Sequence, residues 1–467
     1  MEVLQRTANR GSISTGGYEI GNSCKFEDDN DEWLYRTNAS GTNRKTWTVS
    51  WWFKQTELRS VNGAAAEHWQ GGGYGEATRA GIFADDRIWI DIGGGDGNTG
   101  SRFRSLSTQK IRDTSAWYHI VIACDSTQST EADRLKVWLN GVEVTAWDQR
   151  QYPTLNYQSA LQGTGGVQMK WGSADATYHG YSGYLAECNY VDGVTATQND
   201  FGEFDDDSGI WKPKEYEGSY GTNGSYLDFE IASDLGANAK GNDVNFSLNN
   251  ISAADQATDT PTNNGCTLNV LASLEGSNDI TEGALVSTGK AGGGGNFNGT
   301  YGTIGIDPFN SNVDWYWEIE TSIGTSGSDT DIGIGWIKES RITSGSTAYN
   351  NVYADGISRY SSQTANAAGD IWGVLLETGT TPVMKLYRND GLIYTATHGS
   401  GGVSFDTLMF PYITVKGTSV DARLNFLNPA SSFSIASGNT DPNGYGNFEF
   451  DPKGGYALCT KNLAEYG

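Results

Sequence analysis

The chain has 467 residues, with 31 Lys and Arg against 56 Asp and Glu, a formal net charge of −25. That balance speaks against nucleic-acid binding, which needs clustered cations against phosphate, and against anionic membrane surfaces. Its 62 glycines are about twice the usual ~7%, while 15 Trp, 24 Tyr and 16 Phe exclude a disordered chain, and no run approaches the roughly 18 apolar residues of a membrane span.

In chain order, Met1–Arg10 lacks an apolar core of the signal-peptide kind, so the expectation is a chain made in a reducing compartment without secretion. Residues 1–16 read as an N-terminal attachment segment. Thr46-Trp-Thr-Val-Ser-Trp-Trp-Phe53 is β-branched and aromatic, the composition of a strand. Arg87-Ile-Trp-Ile-Asp-Ile92 puts Ile88, Ile90 and Ile92 on one face, and Trp117–Cys124 reads as a buried strand. In Arg134–Val144, Leu135, Val137 and Leu139 alternate with polar or aromatic positions. Asn140-Gly141 then supplies the two positive-φ residues of a type I′ hairpin turn. Ile371–Leu376 and the hairpin Met384–Tyr394, turning at Asn389-Asp390-Gly391, repeat the pattern. No segment carries a sustained helical period, so any helix is short. The spacing predicts an all-β chain of two separate antiparallel β-sandwiches, with 17–232 in the first and 294–436 in the second. Residues 233–293, rich in Asn, Asp, Ala, Ser and Gly, read as an irregular connector, and 437–467 as a small C-terminal strand or docked tail. Cys24, Cys124, Cys188, Cys266 and Cys459 are odd in number and lack a CxxC pair, which points to buried free thiols instead of disulfides or zinc.

Two resemblances rest on these motifs. Trp117-Tyr-His-Ile-Val, Val137-Trp-Leu-Asn-Gly-Val142 and Gly183-Tyr-Leu-Ala-Glu-Cys-Asn-Tyr-Val-Asp-Gly193 resemble, in order, the laminin-G-like, concanavalin A-like jelly roll. Tyr316-Trp-Glu-Ile-Glu320, Asp331-Ile-Gly-Ile-Gly-Trp336, Gly369–Leu376, Leu386–Gly391 and Phe410–Ile413 are similar to the SPRY domain, also a β-sandwich. The combination, with Asn43–Trp51, Phe201–Phe204, Asp259–Asn264 and Ala457–Leu463, resembles proteins of tailed bacteriophages, notably marine and cyanobacterial ones. That resemblance implies a virion protein, either a tail-fibre or spike adhesin meeting a host-surface glycan or protein, or a structural decoration of capsid or tail. It implies other virion proteins and further copies of the chain as partners, with no nucleic acid and no membrane insertion.

Catalytic patterns are weak. Glu318 and Glu320 share a strand face but lack a third acid at Ser322, and Glu187 has no acidic partner two residues away. His68, His119, His179 and His398 form no zinc motif, and no Gly-x-Ser-x-Gly elbow is present. The expectation is a non-enzyme. A glycan depolymerase is the remaining alternative, to be tested by sugar release from Glu318→Gln or Glu320→Gln variants. Calcium is the one metal left open, at Asp85, Asp86 and Asp96, with Asp28–Glu32 and Asp205–Asp207 as further acidic stretches. Aromatics in loop-like context supply the candidate ligand contacts: Trp69, Tyr74, Trp147, Tyr152, Tyr349, Tyr353 and Tyr360. Exposed Trp and Tyr offer rigid contact area with a polar handle.

Overall fold

The computed structural model describes residues 17–37, 43–58, 66–72, 77–93, 102–161, 168–172, 180–241, 244–271, 278–289, 298–322, 332–344, 357–360, 367–401, 403–415 and 421–467. The chain is all-β, and its contacts divide it between Thr262 and Asn263 into two units.

In the first unit a nine-stranded sheet runs Val142–Glu143, Leu135–Leu139, Tyr118–Asp125, Thr46–Gln55, Gly183–Asp192, Ser23–Phe26, Gln256–Ala257, with Ser225–Leu227 and Lys240–Gly241 branching from Gly183–Asp192. An eight-stranded sheet runs Trp147–Gln149, Arg102–Lys110, Arg87–Gly93, Thr78–Ile82, Ala66–Gly71, Gln168–Trp171, Trp33–Thr37, Ser247–Asn249. Side chains alternate across a strand, so Trp47, Val49, Trp51 and Phe53 meet Ile88, Ile90 and Ile92 in one core. The strand Thr46–Gln55 is buried along nearly its whole length. Its outer face is also covered, because Trp52 packs with Ile20, Ala186 and Trp211, and Phe201, Tyr216 and Tyr220 cover Val121 and Val191.

In the second unit a seven-stranded sheet runs Asn278–Thr281, Val286–Gly289, Asp421–Asn425, Trp315–Thr321, Ile371–Glu377, Val383–Arg388, Gly391–Thr397. A four-stranded sheet runs Asn298–Tyr301, Met409–Val415, Ile332–Lys338, Ile357–Tyr360. Trp315, Trp317, Trp336, Trp372 and Ile413 fill the core. The described helices are short, Glu339–Ser344 and Thr460–Tyr466.

The structure differs from the sequence expectation in two places. The stretch 233–293 is no continuous connector. Lys240–Gly241, Ser247–Asn249 and Gln256–Ala257 join the first unit's sheets, while Asn278–Thr281 edges the second unit's seven-stranded sheet with Val286–Gly289 as the next strand in. Edge strands tolerate polar residues, which hid these segments, and Phe246, Ile251, Leu285 and Val286 supply the apolar anchors. The second hairpin turns on two residues, since Arg388 pairs with Gly391 and the positive φ angles fall on Asn389 (47°) and Asp390 (70°). The C-terminal stretch docks on its own unit, where Phe448, Ala457 and Cys459 cluster with Tyr316, Leu375 and Leu427. Residues 1–16 lie outside the described residues.

Candidate functional site

On the outer face of the eight-stranded sheet the pleat places polar groups where solvent-facing residues belong. Since Ile88, Ile90 and Ile92 point to the core, Arg87, Trp89 and Asp91 point out. The cross-strand partners then form one row over six adjacent strands: Tyr35 opposite Lys170, Lys170 opposite Gln70, Gln70 opposite Arg79, Arg79 opposite Asp91, and Asp91 opposite Arg104. A second row sets Glu67 opposite Gly81, Gly81 opposite Trp89, and Trp89 opposite Leu106.

Charges in these rows are matched. Arg104 grips Asp91 with Nε at 2.8 Å and Nη2 at 2.9 Å, a bidentate pair, and Arg79 Nη1 lies 3.5 Å from Glu67 Oε2. The Asp91 hydrogen bond raises the Arg104 guanidinium above its ordinary pKa. Aromatic faces flank the cations: Arg79 lies 5.5 Å from the Trp89 ring, Arg104 6.0 Å from Phe83 and Lys170 Nζ 5.2 Å from Trp33. Glu67 and Asp91 have 0% exposure, whereas the Arg104 side chain keeps 34% and Tyr35, Lys170 and Trp33 are half-buried. The rows are thus deeply buried in the middle and open at both ends.

The sequence-selected residues fall in three groups. Trp69 is a core residue, 1% exposed, packed against Trp47, Trp171 and Tyr190. The register shift between Glu67 and Trp69 turns both His68 and Trp69 inward. Trp147 and Tyr152 come together around Arg150, whose guanidinium lies 4.2 Å from one ring and 4.7 Å from the other while Nη2 donates to Leu135 O at 2.6 Å. Both rings also pack on the core, so this trio closes the sheet edge. It adjoins the polar row, because Gln151 Oε1 accepts from Arg104 N at 2.7 Å. Tyr74, Tyr349, Tyr353 and Asp96 lie outside the described residues. Tyr360 ends the strand Ile357–Tyr360 opposite Ile332, and its side chain is likewise outside them.

The acidic candidates carry ion pairs. Asp85 binds Arg87, which also reaches Asp148, and Asp86 takes Arg112 Nε at 2.6 Å. The Arg87 hydrogen bond holds the Asp85 carboxyl below its usual range. Among the described residues no three His, Cys, Asp or Glu side chains converge as a metal site.

Two arrangements that look catalytic are occupied otherwise. His119 Nε2 lies 2.8 Å from Ser50 Oγ, and Nδ1 lies 2.9 Å from Trp211 Nε1. An indole N–H only donates, so Nδ1 is the acceptor and the neutral ring's proton sits on Nε2, aimed at Ser50. The imidazole therefore cannot take the Ser50 proton, and burial lowers its pKa to about 3. Glu318 accepts four hydrogen bonds, from Tyr316 Oη (3.1 Å), Asn425 Nδ2 (3.3 Å), Glu449 N (2.9 Å) and Phe450 N (2.9 Å). Glu320 accepts from Ser434 N at 3.0 Å. Both carboxylates hold the backbone that follows the last strand.

Comparison with known proteins returns no matching family model and no matching curated protein. Among solved structures the chain is similar to a heptameric SAP-like pentraxin from Limulus polyphemus, with 13% identity and a TM-score of 0.30 over 50% of this chain and 98% of that one. A putative carbohydrate-binding protein from Bacteroides ovatus matches with 13% identity and a TM-score of 0.33, over 50% of this chain and 59% of that one. A human SPRY domain matches with 12% identity and a TM-score of 0.21, over 30% and 90%.

Proposed function

We propose that the first unit is a lectin-like module that binds a glycan along the polar row. We further propose that the chain is a non-enzymatic bacteriophage virion protein of the tail-fibre or spike kind. The observation that carries the binding reading is the unbroken register Tyr35–Lys170–Gln70–Arg79–Asp91–Arg104. A sugar presents paired hydroxyls and an apolar ring face. At the open ends of the row the Arg104 guanidinium and the Lys170 ammonium match the first, and Trp33 and Tyr35 match the second. Affinity per site is weak and is multiplied by copies on the particle.

The virion reading is supported by the order of the two sets of sequence motifs, and five buried cysteines outside any disulfide suit a protein assembled in a reducing compartment. The non-enzymatic reading is supported by the occupied His119 and by the donors saturating Glu318. The test is binding of the full chain to an array of host-surface polysaccharides, followed by affinities of Tyr35→Ala and Lys170→Ala. Each should weaken binding by about fivefold or more, the worth of one aromatic or cationic contact of about 1 kcal/mol. Absence of glycan binding, or binding untouched by both changes, overturns the proposal.

A further inference from the structure

Three oxygen-bearing side chains meet on the outer face of the nine-stranded sheet. Glu187 sits inside the strand Gly183–Asp192 with a φ of 51°, where the pairing register shifts between Ala186 and Asn189. This bulge points Ala186 and Glu187 outward in succession, while Leu185 and Cys188 remain in the core. A left-handed, non-glycine residue in mid-strand is strained and persists only where its surroundings demand it. Here Glu187, 6% exposed, meets Tyr226 Oη at 2.7 Å through Oε1 and Tyr18 Oη at 3.0 Å through Oε2. The two phenol oxygens are themselves 2.9 Å apart.

These three contacts close a ring, and each needs one proton. The two phenols supply two. An ionised Glu187 supplies none, so one contact would set lone pair against lone pair. A protonated Glu187 supplies the third, and every group in the ring then donates once and accepts once. We propose that Tyr18, Glu187 and Tyr226 form a proton-operated clasp: the protonated ring holds the backbone around Tyr18 on the sheet, and loss of the Glu187 proton releases Tyr18, its least buried member.

The surrounding charges favour the closed state. The Tyr226 and Tyr18 hydrogen bonds favour a charged Glu187, while burial, Asp228 and Glu215 oppose it and together outweigh them. Lys240 lies 5.7 Å from the Tyr226 ring but pairs with Glu215. Tyr220 Oη donates to Asn189 Oδ1 on the same face, and the Cys188 thiol lies on the core side. Burial is the main reason that the Glu187 pKa stands near 7, so the clasp works in the neutral range. Opening stops at Ile20, whose N–H donates to Thr262 Oγ1 at 3.1 Å and whose carbonyl accepts from it at 3.0 Å.

Amide hydrogen exchange at Tyr18 and Glu19 of the full chain, corrected for the intrinsic pH dependence, tests this against Glu187→Gln. The glutamine amide supplies the third proton at every pH. Wild-type protection should fall by up to about tenfold per pH unit between the ordinary carboxyl pKa of 4.5, toward which Glu187 relaxes on opening, and its raised value near 7, and level off above it, and the variant should stay flat. Equal pH dependence in the two proteins, or none in the wild type, overturns the clasp. Infrared difference spectra of the wild type keep the test independent of the variant's folding. A protonated-carboxyl band attributable to Glu187 that disappears across pH 7 supports the proposal, and its absence at acidic pH refutes it.

Discussion

The sharpest consequence of the second unit's packing concerns Glu318→Gln. Burial outweighs the four donors and raises the Glu318 pKa from an ordinary 4.5 to about 7. A carboxyl whose folded-state pKa is raised contributes its full stability below the unfolded value, and that contribution is lost as pH climbs through the folded value. Two and a half pH units correspond to about 3 kcal/mol in favour of the acidic side, at about 1.4 kcal/mol per unit. Glutamine does not titrate, but its amide nitrogen cannot accept from one of the two backbone N–H groups, at Glu449 or Phe450. Orphaning that donor costs about 1–2 kcal/mol at every pH. The variant is therefore expected to be about 1–2 kcal/mol less stable than wild type below pH 4.5 and more stable by a similar amount well above pH 7, with the curves crossing between. For a domain of this size the swing is roughly 6–12 °C in Tm. Scanning calorimetry of both proteins across that range reads it, the first unit's transition serving as internal control. A difference that does not change with pH would show that Glu318 does not titrate there. A variant that becomes relatively less stable as pH rises would show that the donors, not burial, dominate.

Other expectations follow from burial and backbone geometry. All five thiols should resist a thiol reagent at pH 8 and react together only on unfolding, since burial pushes Cys124 and Cys459 up to about 12; one fast-reacting cysteine in the folded chain contradicts the packing. Asn140→Ala should cost about 1–2 kcal/mol, because Asn140 has a φ of 46° and its Oδ1 accepts from His119 N at 2.7 Å; an unshifted denaturation midpoint refutes this. Trp69→Ala should cost about 3–5 kcal/mol as a cavity mutation and leave the affinity of the remaining folded protein for glycan unchanged; a loss of affinity at unchanged stability would return Trp69 to the binding surface.

What could be read from the sequence was local. Ile88, Ile90 and Ile92 announce their strand by alternation, and Asn140-Gly141 announces its turn, with φ angles of 46° and 77° in the structure. The candidate site was hidden because its members come from six strands, four in succession between Ala66 and Lys110 and two, Trp33–Thr37 and Gln168–Trp171, from distant parts of the chain. Arg79, Asp91 and Arg104 each look like a solvated charge alone, and only the sheet order aligns them. The available signal was that these charges occupy alternate positions of strands whose other face is apolar. Trp69 misled for the opposite reason. The run His68-Trp-Gln-Gly-Gly-Gly73 has the composition of a loop, yet the bulge at His68 delivers two consecutive side chains to the core. Trp147 and Tyr152 were identifiable as a pair, but not the intervening Arg150 that covers the faces they turn toward each other.

Whether the polar row belongs to the fold or to a ligand can be decided from an asymmetry between Asp91 and Arg104. Asp91 is fully buried, while the Arg104 side chain remains 34% exposed. Arg104→Leu strands a carboxylate without its bidentate partner, which costs about 3–5 kcal/mol for a buried charge. Arg79, opposite Asp91 on the neighbouring strand, keeps the cost toward the lower end. Asp91→Leu leaves a guanidinium that can turn to water, a much smaller loss. The double change removes both charges and should recover stability to within about 1 kcal/mol of wild type, since a buried ion pair replaced by apolar groups of similar size is often neutral or better. If stability returns in the double variant while glycan binding does not, folding does not require the pair and the ligand does. If the double variant is as unstable as Arg104→Leu, the row is structural, and the binding surface must be sought elsewhere on the sandwich. Urea midpoints for the three variants, read beside their glycan affinities, separate the two outcomes.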